Sequence, residues 1–333
     1  MDVATQFPSN NLLKEALEEL GYSHEFITLD TRSFSRYTSP LGNVWLTSNA
    51  LRIYPFLNST AKLISSEKVL GYTLAESLGI NVPCTYIVRE EQAISQIPTE
   101  LLDKKPLVVK PNNASLSNGL TVGITTDDEL TSAVARAKEF DPSVLIQQQV
   151  TGEEARFAIV DGKCKAVILR RTPRVVGDGT HTLAQLLEIE NNERINLKLP
   201  YAVYPKLEEP LVDFSGLDMS HVPAEGKIIE LGKSSMIRRG ASAYNITNSI
   251  HASYVKIAEK LASALGNGFI VVDMFMKDYE VPVSDDNYAF LEYNMSPNLP
   301  LFYCCRDGNH YDIISELVPL IDKAINGGKV SKA

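Results

Sequence analysis

The stretch YAFLEYNMSPNLP, residues 288–300, decides how the rest of the chain is interpreted. Its alternating apolar residues predict a strand, and Glu292 and Asn294 stand two positions apart near the end of that strand. Side chains at positions i and i+2 of a strand share one face of the sheet. A carboxylate beside an amide indicates a cation site, while two polar residues at the wet end of a strand explain the pair equally well.

A second apolar segment, FIVVDMFM at 269–276, contains a single acid, Asp273. Aspartate is seldom buried in a core strand unless it is paired or binds a metal. If the two segments form a hairpin, Asp273, Glu292 and Asn294 converge on one face. Such an oxygen-only set suits Mg²⁺ or Mn²⁺, completed by water and nucleotide phosphates. A paired buried carboxylate explains Asp273 alone, but it explains the three residues together less well.

Composition excludes several classes of protein. The net charge of −9 argues against nonspecific binding to nucleic acid or to an anionic membrane. The N-terminus lacks the pattern of a signal peptide, and no apolar run is long enough to span a bilayer. The four cysteines show no Cys-x-x-Cys spacing and the five histidines no cluster, so we expect reduced thiols, a cytoplasmic protein and no zinc site.

The order of predicted elements gives the fold class. A hairpin that turns at Asp161–Gly162 and a capping box from Thr126 to Glu129 are the clearest local signals. Antiparallel hairpins mixed with helices predict an α+β fold. The predicted helices cover residues 10–20, 65–78 with Ser65 or Ser66 as the cap, 126–140, 251–266 and 311–326.

A phosphate-binding segment is predicted after Lys110, which ends a short apolar strand and precedes the Asn, Ser and Gly loop at 112–119. Backbone N–H groups of such a loop can contact polyphosphate, although an ordinary surface hairpin loop is the commoner meaning. Lys68, at a helix start, is a weaker candidate, since exposed helix lysines are common. The strand end at 144–150 can offer backbone groups to an adenine, and Glu154 can accept from ribose hydroxyls.

In this order the parts resemble the ATP-grasp ligases, especially the ATP-grasp parts of cyanophycin synthetase and of the bifunctional glutamate–cysteine ligase/glutathione synthetase. The resemblance covers residues from about 45 to the C-terminus, and its most specific segment is VVGDGTHT, residues 175–182. The other segments that carry it are VVKP, SVLIQQQVTGEEARF, RRTPR, VPAEGKIIEL, VVDMFM and EYNMSPNL.

The resemblance implies two α+β lobes that enclose ATP, after a small N-terminal α/β unit. The units would be 1–60, then a small lobe at 61–146 with a lid at 112–119, then a C-terminal lobe at 147–333 with the metal site. Asp273, Glu292 and Asn294 would hold two Mg²⁺ ions, with Mn²⁺ as the substitute. The implied nucleotide contacts are Lys68, Lys110, Ser115 and Ser117 at the phosphates, Gln147, Gln148 and Val150 at the adenine, and Glu154 at the ribose.

The chain departs from the family at three positions. Gln147 stands where the family usually has an acid, Gln148 where it has an acid or a lysine, and Val271 where D-alanine–D-alanine ligases have a catalytic arginine. The positive charge of that catalytic arginine would then have to come from another arginine. We expect Arg239, because IRRGAS resembles the His-Arg-Gly-Gly segment of other ATP-grasp enzymes, together with Arg171. Arg174 and Arg238 are the other candidates, and a solvated arginine pair is the alternative at 238–239.

The function implied is an ATP-dependent carboxylate–amine ligase that forms a peptide or amide bond through an acyl phosphate. Its partners would be small-molecule carboxylate and amine substrates, an amino acid or a short peptide, with no nucleic acid and no membrane. A homodimer is left open. The alternatives are a nonenzymatic nucleotide-binding relative and a phosphotransferase on the same fold.

Overall fold

A computed structural model describes residues 8–89, 96–114, 117–197, 199, 204–266 and 268–328. The first unit joins one helix to a three-stranded antiparallel sheet of order β1-β2-β3. Its elements are α1 (Pro8–Glu19), β1 (Ser23–Leu29), β2 (Arg32–Thr38) and β3 (Val44–Ser48). Leu13, Leu17 and Trp45 pack into one core with Phe269 and Leu317 of the distant C-terminal segment. This unit is therefore joined to the C-terminal lobe by a shared core.

The second unit is a four-stranded antiparallel sheet of order β4-β7-β5-β6. One face is covered by a helix whose Leu130, Val134 and Ala137 are buried. The elements are α2 (Ser59–Ser66), α3 (Lys68–Ser77), β4 (Thr85–Val88), α4 (Thr99–Leu102), β5 (Leu107–Pro111), β6 (Thr121–Ile124), α5 (Asp127–Lys138) and β7 (Val144–Gln148).

The third unit is built on a five-stranded antiparallel sheet of order β12-β9-β8-β13-β14. The Asp161–Gly162 turn joins β8 to β9, and both residues have positive φ, 47° and 79°, as a tight hairpin turn requires. The elements are β8 (Glu153–Val160), β9 (Lys163–Arg171), β10 (Arg174–Val176), α6 (Leu183–Asn196), β11 (Ile228–Glu230), β12 (Ser242–Asn245), α7 (Ala252–Ser263), β13 (Phe269–Met276), β14 (Tyr288–Asn294) and α8 (Ile313–Ile325).

The two faces of this sheet are covered differently. Phe157, Leu169 and Val272 alternate onto one face and pack against α7 and α3. Val271 and Ala158 alternate onto the other face, where the N-terminal unit and α8 cover them. A small satellite of β10, β11 and α6 has its own core around Val175, Leu186 and Leu231. No helix in the described ranges combines the length and apolar character that crossing a membrane requires.

Most predicted elements lie close to their expected positions, and one is wrong. The predicted helix at 65–78 is interrupted at Glu67, where α2 ends and α3 begins. Ser65 and Ser66 do not cap it, because their hydroxyls donate back to the Lys62 carbonyl. The predicted capping box from Thr126 to Glu129 is present in full.

Candidate active site

The three predicted metal ligands share one face of the C-terminal sheet. Asp273 of β13 lies directly opposite Glu292 of β14, and Asn294 pairs with Val271, two residues from Asp273. Residues at i and i+2 share a face, so all three side chains lie on the side that the N-terminal unit covers only in part. A register shift directly after Asp273 indicates a bulge here, a feature common beside active sites. We call this surface the acid face.

Asp273 is fully buried and forms an ion pair that the sequence did not predict. Arg156, its partner on β8, donates from Nε to Oδ1 at 2.9 Å and from Nη2 to Oδ2 at 2.6 Å. Arg170 Nη2 lies 3.4 Å from Oδ2. Burial alone would raise the pKa of Asp273, but the two guanidinium groups outweigh it and hold the pKa below its ordinary value. Asp273 is therefore ionised.

Arg170 joins Asp273 to the residue predicted to bind ribose. Its Nη2 donates to Glu154 Oε1, and the Ser235 hydroxyl donates to Glu154 Oε2. Glu154 and Arg156 are two residues apart on β8, and Glu154 lies opposite Arg170, so all three belong to the acid face. The Arg170 Nε is buried and has no hydrogen-bond partner among the described residues. It is a spare cationic donor on this face.

Lys68 brings the small lobe to the acid face. It begins α3, and its Nζ lies 3.8 Å from Glu292 and donates to the Ala114 carbonyl at 2.8 Å. Asn112 holds the helix start, because its carbonyl accepts from the Lys68 N–H and its side chain accepts from the Val69 N–H. Burial lowers the pKa of Lys68, and nearby Lys110 lowers it further, while Glu292 opposes both.

Lys110 lies on β5 beside Lys68. Its Nζ donates to the Tyr72 hydroxyl at 2.8 Å and lies 5.4 Å from the centre of the Tyr72 ring. Tyr72 in turn packs edge-on against Phe290 of β14, with 6.0 Å between ring centroids. Both lysines are thus held next to the strand that carries Glu292 and Asn294.

The predicted adenine contacts lie where the two lobes join. Gln147 is buried in β7, and its Nε2 donates to the Thr85 hydroxyl at 2.6 Å. Gln148 is exposed at the end of β7, and Val150 follows half-buried. The chain then passes so close to β13 that a Cβ on Gly152 would lie 2.4 Å from the Met276 carbonyl oxygen. Only glycine fits there, and its φ of +136° also favours glycine.

The predicted lid is described only in part. Ser115 lies outside the described residues. Ser117 is exposed with a positive φ of 58°, and its carbonyl accepts from the Leu120 N–H. Lys68 and Asn112 anchor the beginning of this segment through the contacts given above.

The structure places Arg171, one of the two predicted catalytic arginines, away from the acid face. Arg171 follows Arg170 on β9, so it points to the opposite face, where Glu153 accepts from its Nε at 3.1 Å. Arg174 is also paired with Glu153, at 2.8 Å. Arg239 and Arg238 are exposed on a short 3₁₀ turn that follows Ser235.

Among the described residues, Arg156 and Arg170 are arginines that contact Asp273 on the acid face. The sequence signal for Arg156 was its isolation in the apolar strand EARFAIV, two residues after Glu154. Arg170 carried no signal that separates it from Arg171, because only the pairing with Glu154 fixes its face.

The acid-face residues fit a hard divalent cation. Asp273, Glu292 and Asn294 offer only oxygen donors, as Mg²⁺ prefers. Both Asp273 oxygens accept from Arg156, so an ion would have to displace at least one of these contacts. Across the described ranges, no three His, Cys, Asp or Glu side chains form a further candidate metal cluster.

Comparison with known proteins shows what this chain is similar to. Residues 74–206 match the family model described as D-ala D-ala ligase C-terminus. The chain is 30% identical over 217 residues to the glutathione biosynthesis bifunctional protein of Streptococcus agalactiae, covering 62% of this chain and 29% of the relative. It is 26% identical over 310 residues to the same protein of Mannheimia succiniciproducens, covering 89% of this chain and 39% of the relative.

The fold agrees with these matches. The crystal structure of a bifunctional glutathione synthetase from Pasteurella multocida superposes with a TM-score of 0.59 at 21% identity, over 93% of this chain and 43% of that one. The predicted resemblance and fold class are therefore confirmed. Residues 74–206 are thus similar to the C-terminal part of D-Ala–D-Ala ligases, and the relatives given above are bifunctional glutathione biosynthesis proteins. It spans less than half the length of the relatives cited here.

Proposed function

We propose that this chain is an ATP-dependent carboxylate–amine ligase. The observation that carries the proposal is the acid face itself, where Asp273, Glu292 and Asn294 stand beside cationic groups from both lobes. In a fold of the ATP-grasp type, such a surface can bind the triphosphate chain of ATP during its reaction.

The charge balance of the acid face favours an anionic ligand. Three carboxylates, those of Glu154, Asp273 and Glu292, are set against three cations that contact them and a fourth, Lys110, that lies near Lys68. The cationic side chains are Lys68, Lys110, Arg156 and Arg170. A surplus of positive charge attracts an anion more strongly in a partly buried site than on the surface, because the effective dielectric constant is lower. Lys68 and Lys110 would bind the phosphates, and Gln147, Gln148 and Val150 would contact the adenine.

The reaction we infer has two steps. A substrate carboxylate oxygen attacks the γ-phosphorus, the bond to the β–γ bridging oxygen breaks, and ADP and an acyl phosphate result. The substrate amine then attacks the acyl carbon, phosphate leaves, and the nitrogen loses a proton. Asp273, Glu292 and Asn294 would hold two Mg²⁺ ions, which supply charge neutralisation at the phosphates when bound.

Arg170 is the best-placed residue for stabilising charge in this reaction. Its Nε has no partner among the described residues, and its other contacts hold the side chain in place. A preorganised donor of this kind can stabilise negative charge as it develops on the reacting oxygens. Arg156 would hold Asp273 in position and keep its charge balanced. We assign these roles in preference to Arg171 and Arg239.

The substrates we propose are amino acids or short peptides, because the relatives are named for glutathione biosynthesis. The test supplies purified protein with Mg²⁺-ATP, single amino acids and dipeptides. We expect substrate-dependent ADP release and, by mass spectrometry, a product whose mass is that of the acid plus the amine less one water. Folded protein that binds ATP without substrate-dependent phosphate release would contradict the proposal, and a stable phosphorylated product would indicate a phosphotransferase. Asp273→Asn is the inactive control.

A further inference from the structure

A second candidate site lies away from the acid face. A cavity of about 250 Å³ opens between the end of β9, the edge strand β12 and helix α6. Arg171 and Ser242, which pair across β9 and β12, both line it. Arg170 precedes Arg171 and points to the other face of the sheet, so the cavity is separated from Asp273 by the sheet. We call it the β12 cavity.

Three arginines line the β12 cavity, and each is held in place. Arg171 stacks over the Tyr244 ring at 4.9 Å and pairs with Glu153. Arg174 pairs with Glu153 at 2.8 Å and with Glu230 at 3.1 Å. Arg306 Nη2 lies 3.0 Å from Glu193. Side chains fixed in this way lose little conformational entropy when they bind a ligand.

One guanidinium group has a donor left over. Within the part of the chain that the structure describes, the Arg174 Nε is buried and has no hydrogen-bond partner. Unpaired buried donors are rare in native proteins and call for an explanation. A carboxylate in the β12 cavity would supply the missing acceptor.

The rest of the lining specifies the ligand further. Glu190 and Glu193 project from α6 and are already paired: Glu190 Oε1 accepts from Arg194 and Arg306, and Glu193 Oε2 accepts from Arg306. The second oxygen of each carboxylate could accept from an ammonium group. Val176, Leu186 and Ile189 provide an apolar wall. The volume falls below the roughly 300–1,000 Å³ typical of sites for drug-sized ligands, which favours a small ligand. The cavity therefore suits a ligand as small as a single amino acid.

We propose that the β12 cavity binds a free α-amino acid, with its carboxylate at Arg174 and Arg171 and its ammonium group at Glu190 and Glu193. This site goes beyond the proposed ligase reaction and does not depend on it. The bound amino acid could be a substrate of the ligase or an effector that is not consumed.

Calorimetry without nucleotide tests the site, with each proteinogenic L-amino acid titrated singly. We expect a subset to bind, and Arg174→Met to weaken that binding at least about tenfold, which corresponds to 1.4 kcal/mol. Ile189→Trp fills the cavity from a half-exposed helix position without breaking an ion pair, and it should abolish binding. Arg32→Met, at an exposed arginine of the N-terminal unit, is the matched control and should leave binding unchanged.

The two variants keep the proposal open to refutation even if one of them fails to fold. If no amino acid binds the wild type, or if binding survives Ile189→Trp in folded protein, the site is refuted. Binding of an ATP analogue by Ile189→Trp should equal that of the wild type, because the acid face lies across the sheet. If the bound amino acid appears in the product, the ligand is a substrate, and if it only alters the rate, it is an effector. Because the titrations contain no ATP, they can succeed even if the ligase proposal fails.

Discussion

Arg156 binds Asp273 with both ends of its guanidinium fork, at 2.9 and 2.6 Å, in a position where the carboxylate has no contact with solvent. Breaking a buried ion pair by removing one partner leaves an uncompensated charge. The same carboxylate is the central member of the proposed metal set. The structure therefore predicts that arginine and metal compete for, or share, the Asp273 oxygens.

Stability should become metal-dependent when Arg156 is removed. Arg156→Met should lower the free energy of unfolding by about 3–5 kcal/mol without metal, because Asp273 stays buried and unpaired. Added Mg²⁺ should restore part of this loss, and chemical denaturation with and without Mg²⁺ measures it. Arg36→Met breaks an exposed pair with Glu25 and should cost about 0–1 kcal/mol with no metal effect. Equal responses of both variants to Mg²⁺ would count against the shared carboxylate.

Two neighbouring arginines should differ sharply in their effect on turnover. Arg170→Met should lower kcat about 100- to 1,000-fold, as loss of one preorganised donor does. Arg171→Met should leave kcat within a few-fold, since Arg171 points to the opposite face. Steady-state kinetics on the two variants measures both values of kcat. A larger loss of kcat for Arg171→Met than for Arg170→Met would reverse our assignment.

The two lysines should act on nucleotide affinity. Lys68→Met and Lys110→Met should each weaken ATP binding roughly 10- to 100-fold, because each removes a charge-assisted contact to phosphate. Fluorescence titration with a nucleotide analogue provides the measurement. Lys14→Met, which breaks only an exposed pair with Glu18, is the control. Unchanged affinity in both variants would place the phosphates elsewhere.

The capping box on α5 should matter for stability alone. Thr126→Ala removes the hydroxyl that accepts from the Glu129 N–H and should cost about 0.5–2 kcal/mol. Thr131→Ala lies inside the same helix and should be neutral or slightly stabilising, because alanine is the better helix former. Thermal unfolding compares the two, and equal effects would mean that the cap contributes nothing.

Local patterns predicted some elements to the residue and missed others. The strand 269–276 was predicted with its observed bounds because its apolar run is interrupted only by Asp273, and the strand that begins at Tyr288 was predicted from the pattern of YAFLEYN. β2 was missed, since its sequence RSFSRYT carries little apolar alternation. The break at Glu67 depends on Asn112, which is 45 positions away and holds the start of α3 through its carbonyl and side chain.

The convergence of Asp273, Glu292 and Asn294 was accessible to sequence reasoning, while the choice between Arg170 and Arg171 was not. Glu292 and Asn294 are two positions apart, so a strand places them together without any knowledge of tertiary structure. Arg170 differs from Arg171 only by the register of β9 against β8, and register is a property of the assembled sheet.

Locating the metal ion tests the proposed metal site most directly. Crystals grown with Mn²⁺ and a non-hydrolysable ATP analogue allow the ion to be found by its anomalous scattering. We predict manganese bound by oxygens of Asp273, Glu292 and Asn294, with the phosphates between the ion and Lys68 and Lys110. Nucleotide bound with no manganese at these residues, or manganese bound elsewhere, would contradict this prediction.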